Sequence, residues 1–172
     1  PVSGLGDSVA FQMMGKGYML GIPVPVVTTV LAFSALYFIL HHTTFGRRVY
    51  AVGGNEEASK LSGINIDRIK IGVYAITGLL AAVSALILTS RLNSAQPTAG
   101  ESYELDAIAA VVLGGTSLNG GRGWIFGTLV GALIIGVLNN GMNLIGVSSF
   151  FQLVVKGVVI LLAVLLDRKK AA

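Results

Sequence analysis

The sequence predicts an all-α, polytopic membrane protein with about five transmembrane helices and a short cytoplasmic helix between two of them. Three observations lead there. Of the 172 residues, 53% are hydrophobic and 12% charged, against about 25% charged in an ordinary soluble domain. Mean hydropathy is +0.79, and a soluble chain of this length needs far more charge over its outside. The cations, finally, lie between apolar runs, as they do in loops sorted to the cytoplasmic side of a membrane. They are not pooled with aromatics on one surface, so the net charge of +4 and the pI near 9.6 describe topology, and no nucleic-acid partner is expected.

Residues 1–23 carry Asp7 and Lys16 as their charges and five glycines, Gly4, Gly6, Gly15, Gly17 and Gly21. They read as an external loop or short helix. The first residue is Pro1, and no basic segment with a cleavable apolar stretch precedes the first span, so the sequence reads as a piece of a longer chain. Pro23 and Pro25 open the first apolar run, 24–40, where a proline in the first turn removes no helical hydrogen bond. Seventeen residues are at the short limit for about 30 Å of hydrocarbon.

Residues 41–70 form the most charged stretch, with Arg47, Arg48, Lys60, Arg68 and Lys70 against Glu56, Glu57 and Asp67, and are expected in the cytoplasm. The second span, 71–90, has twenty uncharged residues. Segment 91–106 carries Arg91 against Glu101, Glu104 and Asp106 and belongs outside. The third run, 107–118, would rise about 18 Å as a helix, short of the hydrocarbon thickness. Parity nevertheless makes it cross. The fourth and fifth runs, 124–146 and 150–166, are followed by Asp167, Arg168, Lys169 and Lys170, a basic tail that favours the cytoplasm. With 41–70 inside, the tail returns inside only after five crossings, which also puts Arg122 inside. Residues 24–170 thus read as one transmembrane domain.

Several chemistries are excluded. The chain has no cysteine, hence no disulfide, thiolate metal site or thiol nucleophile. His41 and His42 are adjacent and do not make the i,i+4 geometry of a helical zinc site, so no metal and no cofactor is expected. No phosphate-binding loop ending in Gly-Lys, no Gly-x-Ser-x-Gly elbow and no His-Glu-x-x-His helix occurs. The glycine-rich stretch Gly114-Gly115-Thr116-Ser117-Leu118-Asn119-Gly120-Gly121 lacks the preceding strand and following lysine of a phosphate cradle and reads as a tight break between two helices.

Gly123, Gly127 and Gly131 recur at i, i+4 and i+8, a face on which a neighbouring helix can pack closely; packing is favoured over a ligand role. Asn139 and Asn143 share a face of the same helix, with Asn140 beside them. Amides in lipid need partners, so these three serve either interhelical hydrogen bonding or a polar lining for a hydroxylated solute. Lys156 lies inside the fifth span and is expected to snorkel to the interface. In the 41–70 loop, Asn55 can cap a short helix that carries Glu56 and Glu57 in its first turn and ends at Gly63. Such a helix either lies on lipid or docks to a cytoplasmic protein. Its acidic start favours docking, because an anionic leaflet attracts cations.

Glu57-Ala58-Ser59, three residues, then Gly63 resembles the Glu-Ala-Ala-x-x-x-Gly spacing of the coupling loop in permease subunits of bacterial ATP-binding-cassette importers. The usual Leu-Pro further on is absent, as in the divergent sugar and branched-chain amino acid permeases. His41-His42-Thr43-Thr44-Phe45-Gly46-Arg47, residues 53–64, Ser94-Ala95-Gln96-Pro97-Thr98-Ala99-Gly100, and above all Leu105-Asp106-Ala107-Ile108-Ala109-Ala110-Val111-Val112-Leu113-Gly114-Gly115-Thr116-Ser117 resemble the ribose-type monosaccharide permeases. The resemblance covers about 22–170 and implies the C-terminal half of a subunit of about ten spans. It implies an inner-membrane homodimer in contact with membrane lipid, a cytoplasmic ATP-binding-cassette ATPase that hydrolyses the ATP, and a periplasmic sugar-binding protein. The residues it assigns to ATPase coupling are Glu56, Glu57, Ala58, Ser59, Gly63 and Ile64. Two rivals differ in kind. An ion-coupled secondary transporter would carry an intramembrane ionisable group, whereas Asp106 and Asp167 are expected only at span ends. A non-transporting membrane scaffold would tolerate loss of the coupling helix.

Overall fold

The computed structural model describes residues 2–3, 9–19 and 21–171, and the side chains of 11–19 and 21–165. Gly4, Gly6 and Asp7, and the side chains of the basic tail 167–170, lie outside the described residues. Most of the described residues are helical, joined by turns and loops, and the strands among them are four two-residue pieces: β1 (Val2–Ser3) pairs antiparallel with β4 (Ser94–Ala95), and β2 (Tyr18–Met19) with β3 (Ile22–Pro23).

The helices follow from caps and breakers. After α1 (Val9–Lys16), α2 (Val24–His42) starts at Pro23, with Pro25 in its first turn. It ends where Thr43 turns extended and donates its hydroxyl back to Ile39 O at 2.5 Å. A separate helix, α3 (Thr44–Gly54), follows where the sequence reading has only loop. Its arginines Arg47 and Arg48 are exposed while Phe45, Val49 and Val52 are half-buried, a 3–4 spacing of apolar residues that the charges obscure. The short α4 (Glu56–Leu61) comes next. In α5 (Ile66–Leu92), Asn65 Oδ1 accepts from Arg68 N at 3.1 Å, so the helix begins five residues before the expected span and carries Asp67, Arg68 and Lys70 in its first turns.

The third run is displaced. The helix α6 is Tyr103–Leu113, not 107–118. Glu104 and Asp106 fall in its first turn, where the helix dipole favours acids, and the Gly114-Gly115 pair ends it. Gly115 takes φ +84° and Thr116 N donates to Val111 O at 3.1 Å, the closure that a left-handed residue after a helix provides. Asp106 is therefore a helix residue rather than a residue bordering a span. The last helices, α7 (Ile125–Leu144) and α8 (Ser149–Ala171), meet at a turn with Gly146 at φ +74°.

Helices α2, α5 and α7 are long and apolar enough to cross a membrane, and α8 is apolar over Ser149–Leu165. Eleven residues of α6 rise about 16 Å, roughly half the hydrocarbon thickness. Large apolar side chains are exposed all along these helices, and α2 buries none of its residues. That surface fits lipid, and the chain is an integral membrane protein.

The chain divides into two compact units, Pro1–Val49 with Ser59–Glu101 and Tyr50–Ala58 with Ser102–Ala172. In the first, α1 crosses the last turn of α5 at backbone distance. A Cβ on Gly15 would stand 2.6 Å from Ser90 Oγ, and that buried hydroxyl donates to Phe11 O. In the second, α6 packs on both α7 and α8. Its core is Ala109, Ala110 and Ile135, with Val159 and Ile160 against it.

Candidate functional site

The segment around α4 is fixed at both ends by local bonds. Asn55 Oδ1 accepts from Ala58 N at 2.9 Å, which satisfies one of the amides that a helix start leaves open. At the other end Gly63 takes φ +79°, its amide donates to Lys60 O and that of Ile64 to Ser59 O, each at 3.0 Å. These are the paired bonds of a glycine-closed helix end. Glu56, Glu57 and Ala58 are exposed, as are Lys60 and Gly63, while Ile64 is half-buried. Ser59, one of the expected coupling residues, is buried at 5% exposure, so its side chain seats the helix instead of facing outward. Leu61, which is not among the expected coupling residues, is 90% exposed and is the apolar tip of a charged ridge that exposes Glu56, Glu57 and Lys60.

Immediately before α4, the end of α3 touches the α6–α7 turn. Tyr50 donates its hydroxyl to Gly123 O at 3.1 Å. A Cβ on Gly53 would lie 2.8 Å from Gly121 N, and one on Gly121 would lie 2.7 Å from Gly54 Cα. Gly120 and Gly121 hold φ of +87° and +72°, a pair of left-handed positions that glycine occupies without cost. The stretch expected to be a tight break between helices is such a break, braced by Ser117 N donating to Arg122 O at 3.0 Å and Gly120 N to Ser117 O at 3.2 Å.

The glycine face of α7 lies against α6. Gly123, expected on this face, lies before α7 in the turn, with its Cβ position 2.9 Å from Thr116 Cγ2, whereas a Cβ on Gly127 would collide with Gly114 O and one on Gly131 with Ala110 O. Backbones meet there without side chains between them, which maximises dispersion contact where no hydrophobic effect drives association.

At the other end of α6 and α7, where α8 joins them, is a polar cluster. Lys156 Nζ lies 2.7 Å from Asp106 Oδ1, and Asn139 Nδ2 donates to Asp106 Oδ2 at 3.1 Å. Lys156 is 8% exposed. The expected snorkelling is thus corrected: the ammonium turns inward, because a carboxylate on α6 lies within reach and an ion pair in low dielectric outweighs a stretched route to the interface. Among the described residues, Asp106 Oδ1 has that ammonium as its partner and Asn139 Oδ1 is buried with no hydrogen-bond donor. Asn143 Oδ1 accepts from Gln152 Nε2 at 2.8 Å, and that amide also donates to Val147 O at 2.9 Å. Asn139 and Asn143 therefore bond to α6 and α8 respectively, whereas Asn140 is exposed. The signal for the ion pair lay in two lone opposite charges at the same end of spans fifty residues apart, which no local pattern links.

The family described as branched-chain amino acid transport system / permease component matches residues 3–164. The chain is 69% identical over 172 residues to the ribose import permease protein RbsC of Bacillus subtilis, covering 100% of this chain and 53% of the relative. It is 62% identical over 160 residues to RbsC of Escherichia coli K12, covering 93% and 50%. Identity to the xylose transport system permease protein XylH of Haemophilus influenzae is 51% over 163 residues, covering 92% and 43%. The chain spans about half the length of these curated relatives. No solved structure matches it. With nearly its whole length matched, the chain belongs to the branched-chain amino acid transport system / permease component family.

Proposed function

We propose that this chain forms part of the permease subunit of an ATP-binding-cassette importer that moves ribose, or a related monosaccharide such as xylose, across the bacterial inner membrane into the cytoplasm. The observation that carries the reading is the 69% identity to a ribose import permease over the whole chain. The permease itself is no enzyme; a separate cytoplasmic ATPase supplies the energy, a periplasmic sugar-binding protein delivers the sugar, and a second permease copy completes the path. The α4 ridge, with Glu56, Glu57 and Leu61 exposed, is the docking element for the ATPase, and its displacement tilts the spans on either side. Asn140 faces the solute path, while Asn139 and Asn143 hold α7 to its neighbours. The five-crossing topology is supported by the contact of Gly53 with Gly121, since that reading puts the end of α3 and the α6–α7 turn on the same, cytoplasmic side.

The test joins this chain to the complementary part of the Bacillus subtilis relative, expressed with binding protein and ATPase in cells lacking ribose uptake. ATP-dependent ribose uptake is expected. Uptake that survives ATP depletion but collapses with the proton gradient rejects the reading in favour of a secondary transporter. In the same background Glu57→Lys and Gly63→Trp should abolish uptake and lose the co-purifying ATPase while membrane insertion persists. Normal uptake by both removes α4 from the coupling role.

A further inference from the structure

We propose that α4 has a second output besides the spans flanking it: the backbone contact of Tyr50, Gly53 and Gly54 with Gly120, Gly121 and Gly123 passes its displacement to α7. This rests on α4 being the ATPase dock. Five observations carry the relay. The end of α3 and the start of α4 are joined without slack, since Asn55 N donates to Ala51 O at 3.0 Å while the Asn55 side chain caps Ala58. The contact itself is backbone on backbone. With no side chain between Gly53 and Gly121, no rotamer change can absorb a shift, and packed interfaces of this kind move in discrete steps rather than deform.

The receiving turn is a braced body, closed on itself between Ser117 and Arg122, so a push at Gly120 and Gly121 moves all of it. Its exit leads straight into α7. Gly123, held by the Tyr50 hydroxyl, is followed by Trp124, the residue that caps α7, and α7 bears Asn139, Asn140 and Asn143. The segment Tyr50–Ala58 also belongs to the same compact unit as α6, α7 and α8, so the first turn of α4 and the helix it moves are parts of one packed body. Sequence neighbours alone would direct the motion to α2 and α5.

The experiment uses the completed permease, assembled with its ATPase and binding protein in proteoliposomes. Three quantities are read: ATPase retained on co-purification, ATP hydrolysis stimulated by loaded binding protein, and ribose uptake. Gly53→Ala places a methyl 2.8 Å from Gly121 N, whereas Gly54→Ala meets Gly121 Cα at 3.8 Å, an ordinary contact. The expected order of loss is therefore Gly53→Ala well beyond Gly54→Ala, with uptake down about tenfold for the former while ATPase co-purification is kept. Equal losses at the two positions would mean that glycine flexibility matters and the contact does not, and overturn the relay. Tyr50→Phe removes one hydrogen bond without adding bulk and should lower uptake per ATP hydrolysed about threefold. If Gly53→Ala fails to accumulate, Tyr50→Phe decides alone, and unchanged uptake per ATP overturns the proposal. Glu57→Lys separates the two readings: retained ATPase in that variant defeats the docking role itself, whereas lost ATPase together with wild-type behaviour of Gly53→Ala and Tyr50→Phe defeats only the relay.

Discussion

Lys156→Met removes the ammonium 2.7 Å from Asp106 Oδ1 while keeping most of the apolar stem. The carboxylate retains the Asn139 amide and loses its counter-charge. Removing one partner of a buried pair costs about 3–5 kcal/mol in soluble proteins, and a lone aspartate at the centre of a membrane helix about 2.5–3.5 kcal/mol on insertion scales. Asp106 lies in the first turn of α6 and its side chain keeps 19% exposure, which argues for the lower end, about 2–3 kcal/mol. Asp106→Asn should cost less, because an unpaired lysine has a long enough stem to reach back toward the interface. The double variant Asp106→Leu with Lys156→Met should recover most of the loss, since an apolar replacement of both partners strands no charge. The assay is unfolding of the completed permease by SDS titration in mixed micelles, read as a double-mutant cycle. A coupling of about 2 kcal/mol is expected. A value near 0.6 kcal/mol, the average for polar contacts between membrane helices, would refute the reasoning and reduce the pair to an ordinary contact.

Three further outcomes follow from the geometry. Gly131→Ala, whose methyl would collide with Ala110 O, should destabilise the same protein by about 1–3 kcal/mol, whereas Gly136→Ala, with nothing within 4 Å, should gain about 0.5–1 kcal/mol from helix propensity; SDS unfolding of both variants checks the contrast. Single cysteines at the exposed Lys60 and Glu101 should react with an impermeant thiol reagent from opposite sides of the membrane, in a permease otherwise free of cysteine, and labelling from one side would reject the five-crossing topology. Asn55→Ala should cost α4 about 1 kcal/mol, measured as faster amide hydrogen exchange at Ala58 and its neighbours.

The apolar runs of the sequence mark α2, α5, α7 and α8, because lipid imposes a long uninterrupted stretch that composition cannot hide. The caps of α4 were equally legible, since Asn55 and Gly63 act through bonds within a few residues of themselves. Boundaries were less so. The charges at 67–70 hide the start of α5, which Asn65 caps further back, and the apolar run continuing past Gly114 hides the end of α6, which the left-handed Gly115 closes. The Asp106–Lys156 pair and the contact of Gly53 with Gly121 were out of reach for one reason: each joins positions about fifty or seventy residues apart, and neither leaves a periodic trace.

The shortness of α6 has a consequence for hydration. In a bilayer an element of about 16 Å leaves irregular backbone, before α6 at 96–102 or after it at 114–123, at a depth where a full-length helix would still be crossing hydrocarbon. Polar backbone survives at such depth only under cover of protein or in water. Protein covers part of it, at Gly53 and Tyr50. The rest calls for a wet recess reaching inward from one face, and beside that recess the low-dielectric barrier is locally about half as thick as the surrounding membrane.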